Sequence, residues 1–422
     1  MITAQQLISK AVTLNKKPVV QQFAALFSTN ILSIGLGVLV SVINTRLLGP
    51  EAYGDFKYLY DLFNLVVLFV TFGYSFTASR IIALDENKSI RKKLAGGIYT
   101  LTAIIALLYT AILILVSFFI DNIYSGNVGY LIVFYAPLLF VFPFYELQPR
   151  LLEGENRIYD LSFYNIAHRV FYILFILLVF YFAEVTLEYA LGLHLLSYLL
   201  MISFIFFRKI PDFSQIKSTI SFLHRENKRH GFHVYLGSLV GKSSGLLGTI
   251  SIGYFLDSES VGYYALAHTV AAPLLMVPRT LGSVYFKKFA NSTKIPVKIF
   301  LVTLVISAIT LFFFNLLIKQ LISFVYSEEF LPVVMYAKLI SIAVIIQGFS
   351  LFINSFLNSK GVGKRLLKSA MLKGLINITG FIILVRAIGV EGACYTLIIS
   401  NCIILMYLIF HYKRYIRNPA SD

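Results

Sequence analysis

The chain has 422 residues, of which 58% are hydrophobic and only 13% charged, with a mean hydropathy of +0.80. A soluble domain carries about a quarter of its residues as charges to cover its surface, so a water-facing globular enzyme is excluded. The 36 Lys and Arg against 20 Asp and Glu give a net charge of +16. In a soluble protein that excess would suggest nucleic acid; here it falls in the connections between apolar runs, and no nucleic-acid partner is expected.

The opening stretch, "MITAQQLISKAVTLNKK", is polar and lacks the apolar core and cleavage site of a signal peptide. It reads as a short amphipathic helix on the inner membrane surface. Apolar runs follow, each long enough to cross ~30 Å of hydrocarbon. Twelve spans are expected, at about 22–45, 52–78, 95–119, 129–148, 161–183, 186–207, 233–256, 260–285, 299–318, 331–356, 367–387 and 390–410. The fold class is therefore an all-α polytopic membrane protein.

The connections alternate in character. One set is basic: Lys88, Arg91, Lys92 and Lys93, then Arg150 and Arg157, then Arg208 to Arg229, then Lys287 to Lys298, then Lys360 to Lys368. Both termini match this set, through Lys10, Lys16 and Lys17 and through Lys413, Arg414 and Arg417. The other set is acidic, with Glu51, Asp55, Asp121, Glu184, Glu188, Asp257, Glu259, Glu328, Glu329 and Glu391. The positive-inside rule puts the basic set in the cytoplasm. Both termini are then cytoplasmic, as an even number of spans requires.

The sequence echoes itself. "RLLGPEAYG", starting at Arg46, sits between the first two apolar runs, and "YFLDSESVGYY", starting at Tyr254, sits between two later ones. A shift of 208 positions carries Leu48 onto Leu256, Glu51 onto Glu259, Gly54 onto Gly262 and Arg80 onto Lys288. Farther on, Gly154 and Arg157 of "LLEGENR" fall on Gly361 and Lys364 at a shift of 207. Residues 1–207 and 208–422 thus read as two six-helix lobes. Six is even, so both lobes point the same way, as a parallel repeat about an axis along the membrane normal. Gly49-Pro50 breaks the first helix, and Gly54 lets the second start close to a neighbour.

Together "LLGPEAYGDF", "GYSFTASR", "LEGENRIYDL" and "FLDSESVGYYALA" resemble the polysaccharide repeat-unit (O-antigen and capsule) flippase family of the multidrug/oligosaccharidyl-lipid/polysaccharide exporter superfamily. The resemblance runs over nearly the whole chain. It implies a V-shaped pair of six-helix lobes. It also implies translocation of an undecaprenyl-pyrophosphate-linked oligosaccharide from the inner to the outer leaflet of a bacterial cytoplasmic membrane, with no catalysis. Membrane lipids, and a polymerase and chain-length regulator of the same pathway, are the partners expected besides that cargo. The cargo's sugars do not follow from the resemblance.

A charge at the bilayer centre costs about 2.5–3.5 kcal/mol on insertion scales, so charges within spans should face a wet cavity or a partner. Lys242 lies about 15 Å into its span at 1.5 Å per residue, among Gly and Ser residues that let a ligand approach. It is either a cationic group for a pyrophosphate, a snorkelling lysine, or the partner of a carboxylate such as Asp61. Arg279 follows two prolines, Pro273 and Pro278, which should loosen its span. Arg169, with its neighbour His168, and Lys373 join the same cationic set, as do Arg46 and Arg80 nearer the interfaces. Arginine is suited to a phosphate because its fork binds two oxygens at once. The excess of bases over acids within spans favours an anionic cargo over a cationic drug.

Asp61, one turn from Asn64, and Glu146 are candidates for binding a coupling proton or sodium ion. No other cofactor is expected, and the histidines form no metal-ligand spacing. Cys394 and Cys402 share one apolar run, two turns apart, and read as packing residues. Two other classes compete. A cation-coupled multidrug exporter of the same superfamily would line its lumen with acids. A membrane polymerase would need a large outer loop, yet each outer connection is about ten residues or fewer, without a paired-carboxylate, nucleophile or metal motif.

Overall fold

The computed structural model describes residues 18–417 apart from 86, 361 and 362, and leaves out the side chains of 18–27, 233, 244, 287, 363 and 364. The proposed amphipathic opening helix lies outside the described residues. The described chain is helical. Its helices are α1 (Pro18–Val70), α2 (Tyr74–Leu84), α3 (Lys88–Ile120), α4 (Gly129–Phe134), α5 (Ala136–Leu139), α6 (Val141–Gly154), α7 (Ile158–Phe182) and α8 (Leu187–Arg208). They continue with α9 (Ile216–Glu226), α10 (Phe232–Phe255), α11 (Ser258–Ala271), α12 (Met276–Val284), α13 (Phe286–Ala290), α14 (Val297–Leu321), α15 (Val333–Ser359) and α16 (Gly363–Arg417).

Eight of the described helical stretches are long and apolar enough to cross a membrane. Two of these are pairs. The α1 stretch breaks at Gly49 (φ 72°, ψ 178°) and restarts at Pro50, and α16 breaks at Ile388 and Gly389. Proline at a helix start loses no bond, because the first N–H groups have no partner there. Two further segments, 129–154 and 232–255, complete the twelve expected from the apolar runs. The fourth span is the most interrupted. It bends after Phe134 and again at Phe140 before running on to Gly154, where sequence alone ends it near 148.

The chain packs into two compact units. The first contains residues up to Val40, Val70–Ile114 and Phe134–Tyr235. Its inner core joins Ala78 and Ile82 of α2, Leu94, Ile98 and Tyr99 of α3, Leu147 and Leu151 of α6, and Leu223 of α9. Two of the motif stretches meet in it: a Cβ built on Gly154 would come 2.5 Å from the Ser79 carbonyl oxygen, so only glycine fits that crossing. The connection "GENR" is closed by ion pairs, with Glu155 between Arg157 (3.3 Å) and Lys209 (2.6 Å), and Asp160 between Arg157 (2.7 Å) and Arg208 (2.8 Å).

This unit also shows a break that the sequence does not announce. Between α1 and α2, Phe72 (φ 46°) and Gly73 (φ 81°) adopt left-handed backbone, which is unfavourable for a bulky residue such as Phe. The break is held from outside. Asn227 Nδ2 donates to the Phe72 carbonyl (2.9 Å) and Asn227 Oδ1 accepts from the Thr77 hydroxyl (2.7 Å). Gly231, at the end of a π-helical turn after α9, lies so close to Gly73 that a Cβ on Gly73 would come 2.7 Å from its carbonyl oxygen.

The second unit contains Ser41–Phe69, Leu115–Val133 and Leu236 onward. Here the two copies of the echoed hinge meet. A Cβ on Gly54 would fall on the Ser258 carbonyl oxygen, and a Cβ on Gly262 would come 2.5 Å from the Pro50 carbonyl oxygen. Each glycine therefore packs against the start of the other copy's helix. The Asp257 side chain caps α11 by accepting the Ser260 N–H at 2.7 Å. In the first copy Asp55 accepts a bond from the Tyr124 hydroxyl at 2.6 Å, and Tyr124 stacks on Tyr58 at 3.8 Å. A core of Phe289, Phe352, Phe356, Leu357, Ile404 and Leu408 joins α13, α15 and α16. Cys394 is buried and Cys402 half-buried, and both are free thiols.

Candidate functional site: a polar cleft at Arg279

Span eight is broken as its prolines suggest. It runs as α11, passes through a tight turn at Ala272–Leu275, and resumes as α12 and then α13. Small residues bring α12 hard against α15. The Pro278 ring fills the space that Gly348 leaves, and Gly282 lies on Phe352 and Ser355. Pro278 is buried in this contact, and Arg279, the next residue, is turned outward and exposed.

Arg279 enters a cleft of about 480 Å³ lined by Ser283 and Phe286 on its own side and by Leu351, Asn354, Ser355 and Asn358 of α15. Its guanidinium makes no ion pair, hydrogen bond or ring contact among the described residues. Five of the seven lining residues are polar. A cation with five fixed donors in a polar cleft can take a bidentate oxyanion.

The other cations singled out by sequence are placed differently. Arg46 lies in a cleft of about 680 Å³ with Thr45, Tyr326, Ser327, Glu328 and Glu329. There it already donates to the Phe324 and Val325 carbonyls, both at 2.7 Å, and so satisfies backbone acceptors at the end of a π-helical turn. Arg169 of α7 donates to the Asn165 carbonyl (2.7 Å) and to the Ser33 hydroxyl of α1, in the first unit. His168 is 3% exposed and packs among Tyr145, Tyr164 and Tyr198. Arg80 is exposed near the end of α2. Lys242 is exposed on α10, where Gly241 and Gly245 have open space beside them. Lys373 of α16 and Lys57 of α1 both lie within electrostatic range of His268.

Of the two acids, Asp61 stands beside the Thr249 hydroxyl of α10 and the Lys57 ammonium, in the second unit. Asn64, its expected neighbour, turns to the Tyr60 carbonyl instead (2.7 Å). Lys57 sits over the Tyr53 and Tyr60 rings at 5.6 and 6.0 Å. Glu146 is half-buried on α6. Among the described residues no three of His, Cys, Asp and Glu gather as metal ligands.

Asn354, Asn358, Ser355 and Thr249 are the site residues that sequence reasoning passed over. They carry no charge, and a charge in an apolar run is the signal that sequence reading detects. A further signal was present, since "FINSFLNS" places two amides one turn apart on one face.

The model of the polysaccharide biosynthesis protein family matches residues 19–286, well over half of the chain. The chain belongs to that family. No curated protein matches it in sequence. Solved structures share its fold. A lipid II flippase MurJ in an inward closed conformation has a TM-score of 0.72 at 16% identity, over 92% of this chain and 87% of that one. An inward-facing multidrug resistance MATE family transporter of the MOP superfamily scores 0.66 at 15% identity, over 92% and 96%. The MATE multidrug transporter DinF-BH scores 0.63 at 15% identity, over 93% and 95%. This member of the polysaccharide biosynthesis protein family therefore shares its fold with those solved structures.

Proposed function

We propose that the protein is a flippase. It carries an undecaprenyl-pyrophosphate-linked oligosaccharide repeat unit from the cytoplasmic to the outer leaflet of a bacterial inner membrane, by alternating access of two six-helix lobes, residues 1–207 and 208–422. The observation that carries this reading is the unpaired Arg279 guanidinium in its polar cleft. A pyrophosphate cannot enter hydrocarbon bare, and a guanidinium fork replaces two of its water contacts. On the orientation given by the basic connections, the cleft opens toward the cytoplasm, near Lys288 and Lys360, where such a headgroup is loaded. Lys242, on an exposed face with open space at two glycines, supplies a second cation along the path.

Asp61 binds the coupling proton or sodium ion. Its carboxylate and the Thr249 hydroxyl offer oxygen ligands, and occupancy would also release or retain the Lys57 ammonium beside them. A polymerase and a chain-length regulator take the product at the outer face. A multidrug exporter has the same fold, but its cationic cargo would meet Arg279 with repulsion.

The test is a strain lacking the gene, scored for surface glycan by gel and for lipid-linked single repeat units by mass spectrometry. The proposal predicts loss of surface glycan with accumulation of lipid-linked units. Unchanged glycan together with new drug sensitivity would establish the multidrug reading in its place. Single units capping the outer surface would point to polymerisation.

A further inference from the structure

The Arg279 cleft holds more than a cation. Asn354 and Asn358 stand four residues apart on α15, about 6 Å along the helix axis at 1.5 Å per residue, with Ser355 beside them. Each amide offers two donors and an acceptor oxygen. Neither side chain makes a hydrogen bond among the described residues.

Three other span asparagines are tied to the backbone of a helix. Asn64 donates to the Tyr60 carbonyl at 2.7 Å, Asn315 to the Leu311 carbonyl at 2.9 Å, and Asn401 to the Ala343 carbonyl at 3.0 Å. That is the economical fate of an amide in an apolar helix, because leaving it unpaired costs free energy. Ser283 follows the same rule, giving its hydroxyl to the Arg279 carbonyl at 3.1 Å. Asn354, half-buried, and Asn358, exposed, are not tied in this way, and what sets them apart is that they share a cleft with a guanidinium that has no partner among the described residues. One wall of that cleft also presents the Phe286 ring, 40% exposed. Paired amides and an aromatic ring suit a pyranose, whose hydroxyls bond to the first and whose C–H face stacks on the face of the second.

We infer that Asn354 and Asn358 read the first sugar of the lipid-linked glycan while Arg279 holds the phosphate to which that sugar is bonded. The inference rests on the flippase reading and adds a specificity device to it. Two neutral hydrogen bonds gained on binding correspond to about a tenfold gain in affinity.

The test measures binding of the purified full-length protein in lipid nanodiscs to four probes. These are undecaprenyl pyrophosphate alone and the same lipid bearing one N-acetylglucosamine, glucose or galactose. Wild type is expected to bind at least one sugar-bearing probe about tenfold more tightly than the bare lipid. The double variant Asn354→Ala/Asn358→Ala should lose that preference while binding the bare lipid within about twofold of wild type. Arg279→Gln should weaken all four. A double variant that keeps the preference overturns the inference. So does one that weakens all four probes equally, which would mark the asparagines as structural. Wild type binding all four probes alike overturns the sugar reading but leaves the flippase reading standing. Wild type binding none of them removes both.

Discussion

The glycine crossing and the Arg279 cleft lie in the same unit and are built on opposite principles. At Gly54 and Gly262 side chains are absent so that backbone can touch backbone, and nothing else fits. At Arg279 a side chain, the Pro278 ring, fills the contact against Gly348, and the polar side chains beside it are left facing space. The crossing belongs to the repeat, because each glycine is the image of the other at a shift of 208. The cleft does not: the same shift carries Arg279 onto Thr71. In the proposed flippase the echoed residues secure the architecture, and the cargo-binding chemistry lies where the echo fails.

Substitutions at four places in the fold should have effects of descending size. The largest effect is expected at the crossing. Gly54→Ala places a methyl on the Ser258 carbonyl, which cannot swing away as a side-chain tip could. The cost should reach or exceed the ~1–3 kcal/mol typical of overpacking. It should appear as a lowered melting temperature and reduced membrane yield, and Gly262→Ala should do the same. A wild-type melting curve for both would show that the crossing is looser than its geometry.

Arg279→Gln should leave stability nearly unchanged, since it breaks no ion pair among the described residues, but should weaken binding of a pyrophosphate lipid. A charge-assisted hydrogen bond contributes about 1.5–3 kcal/mol, so roughly a tenfold to hundredfold loss is expected in a binding titration. Arg279→Lys should recover part of it, because the charge remains while the fork is lost.

A smaller effect is expected at the Phe72 break. Asn227→Ala removes the amide that satisfies both the Phe72 carbonyl and the Thr77 hydroxyl. Buried unsatisfied groups cost ~1–3 kcal/mol, so the melting temperature should fall, while pyrophosphate-lipid affinity stays within about twofold. The smallest effect concerns Asp212, on the loop before α9. Bonds from the Ser214 side chain and backbone N–H, aided by Lys93 and Lys92, hold its carboxyl below the usual carboxylate range. A lowered folded-state pKa stabilises the loop at neutral pH, and that contribution fades as pH falls through the lowered value. Protection of the Ser214 amide, taken relative to its intrinsic exchange rate at each pH, should fall in acid in the wild type and stay flat with pH in Asp212→Asn.

Much of the fold was legible because membrane burial leaves a coarse record. Apolar length set the spans, and the Gly49-Pro50 and Pro273/Pro278 breaks were written in residues that cannot continue a helix. The break at Phe72 was hidden, because its cause lies 155 positions away, in an asparagine that donates to the distortion's stray carbonyl. The site was half legible. Arg279 was visible as a charge out of place, whereas Asn354 and Asn358 were ordinary polar letters until the helix face was known. Sequence could not distinguish Arg279 from Arg46 and Arg169 either. All three are arginines in apolar surroundings, but Arg46 and Arg169 are met by backbone carbonyls from neighbouring or local turns. Such acceptors belong to the fold and have no letter of their own.

The most direct measurement replaces the gene, in a strain that otherwise lacks it, with wild type or Arg279→Gln at equal membrane abundance. Surface glycan and lipid-linked single repeat units are then quantified together. The account predicts that wild type restores the glycan, whereas Arg279→Gln leaves repeat units accumulated on their lipid carrier. Full restoration by Arg279→Gln would contradict it, and would show that the cleft is not where the cargo's phosphates are held.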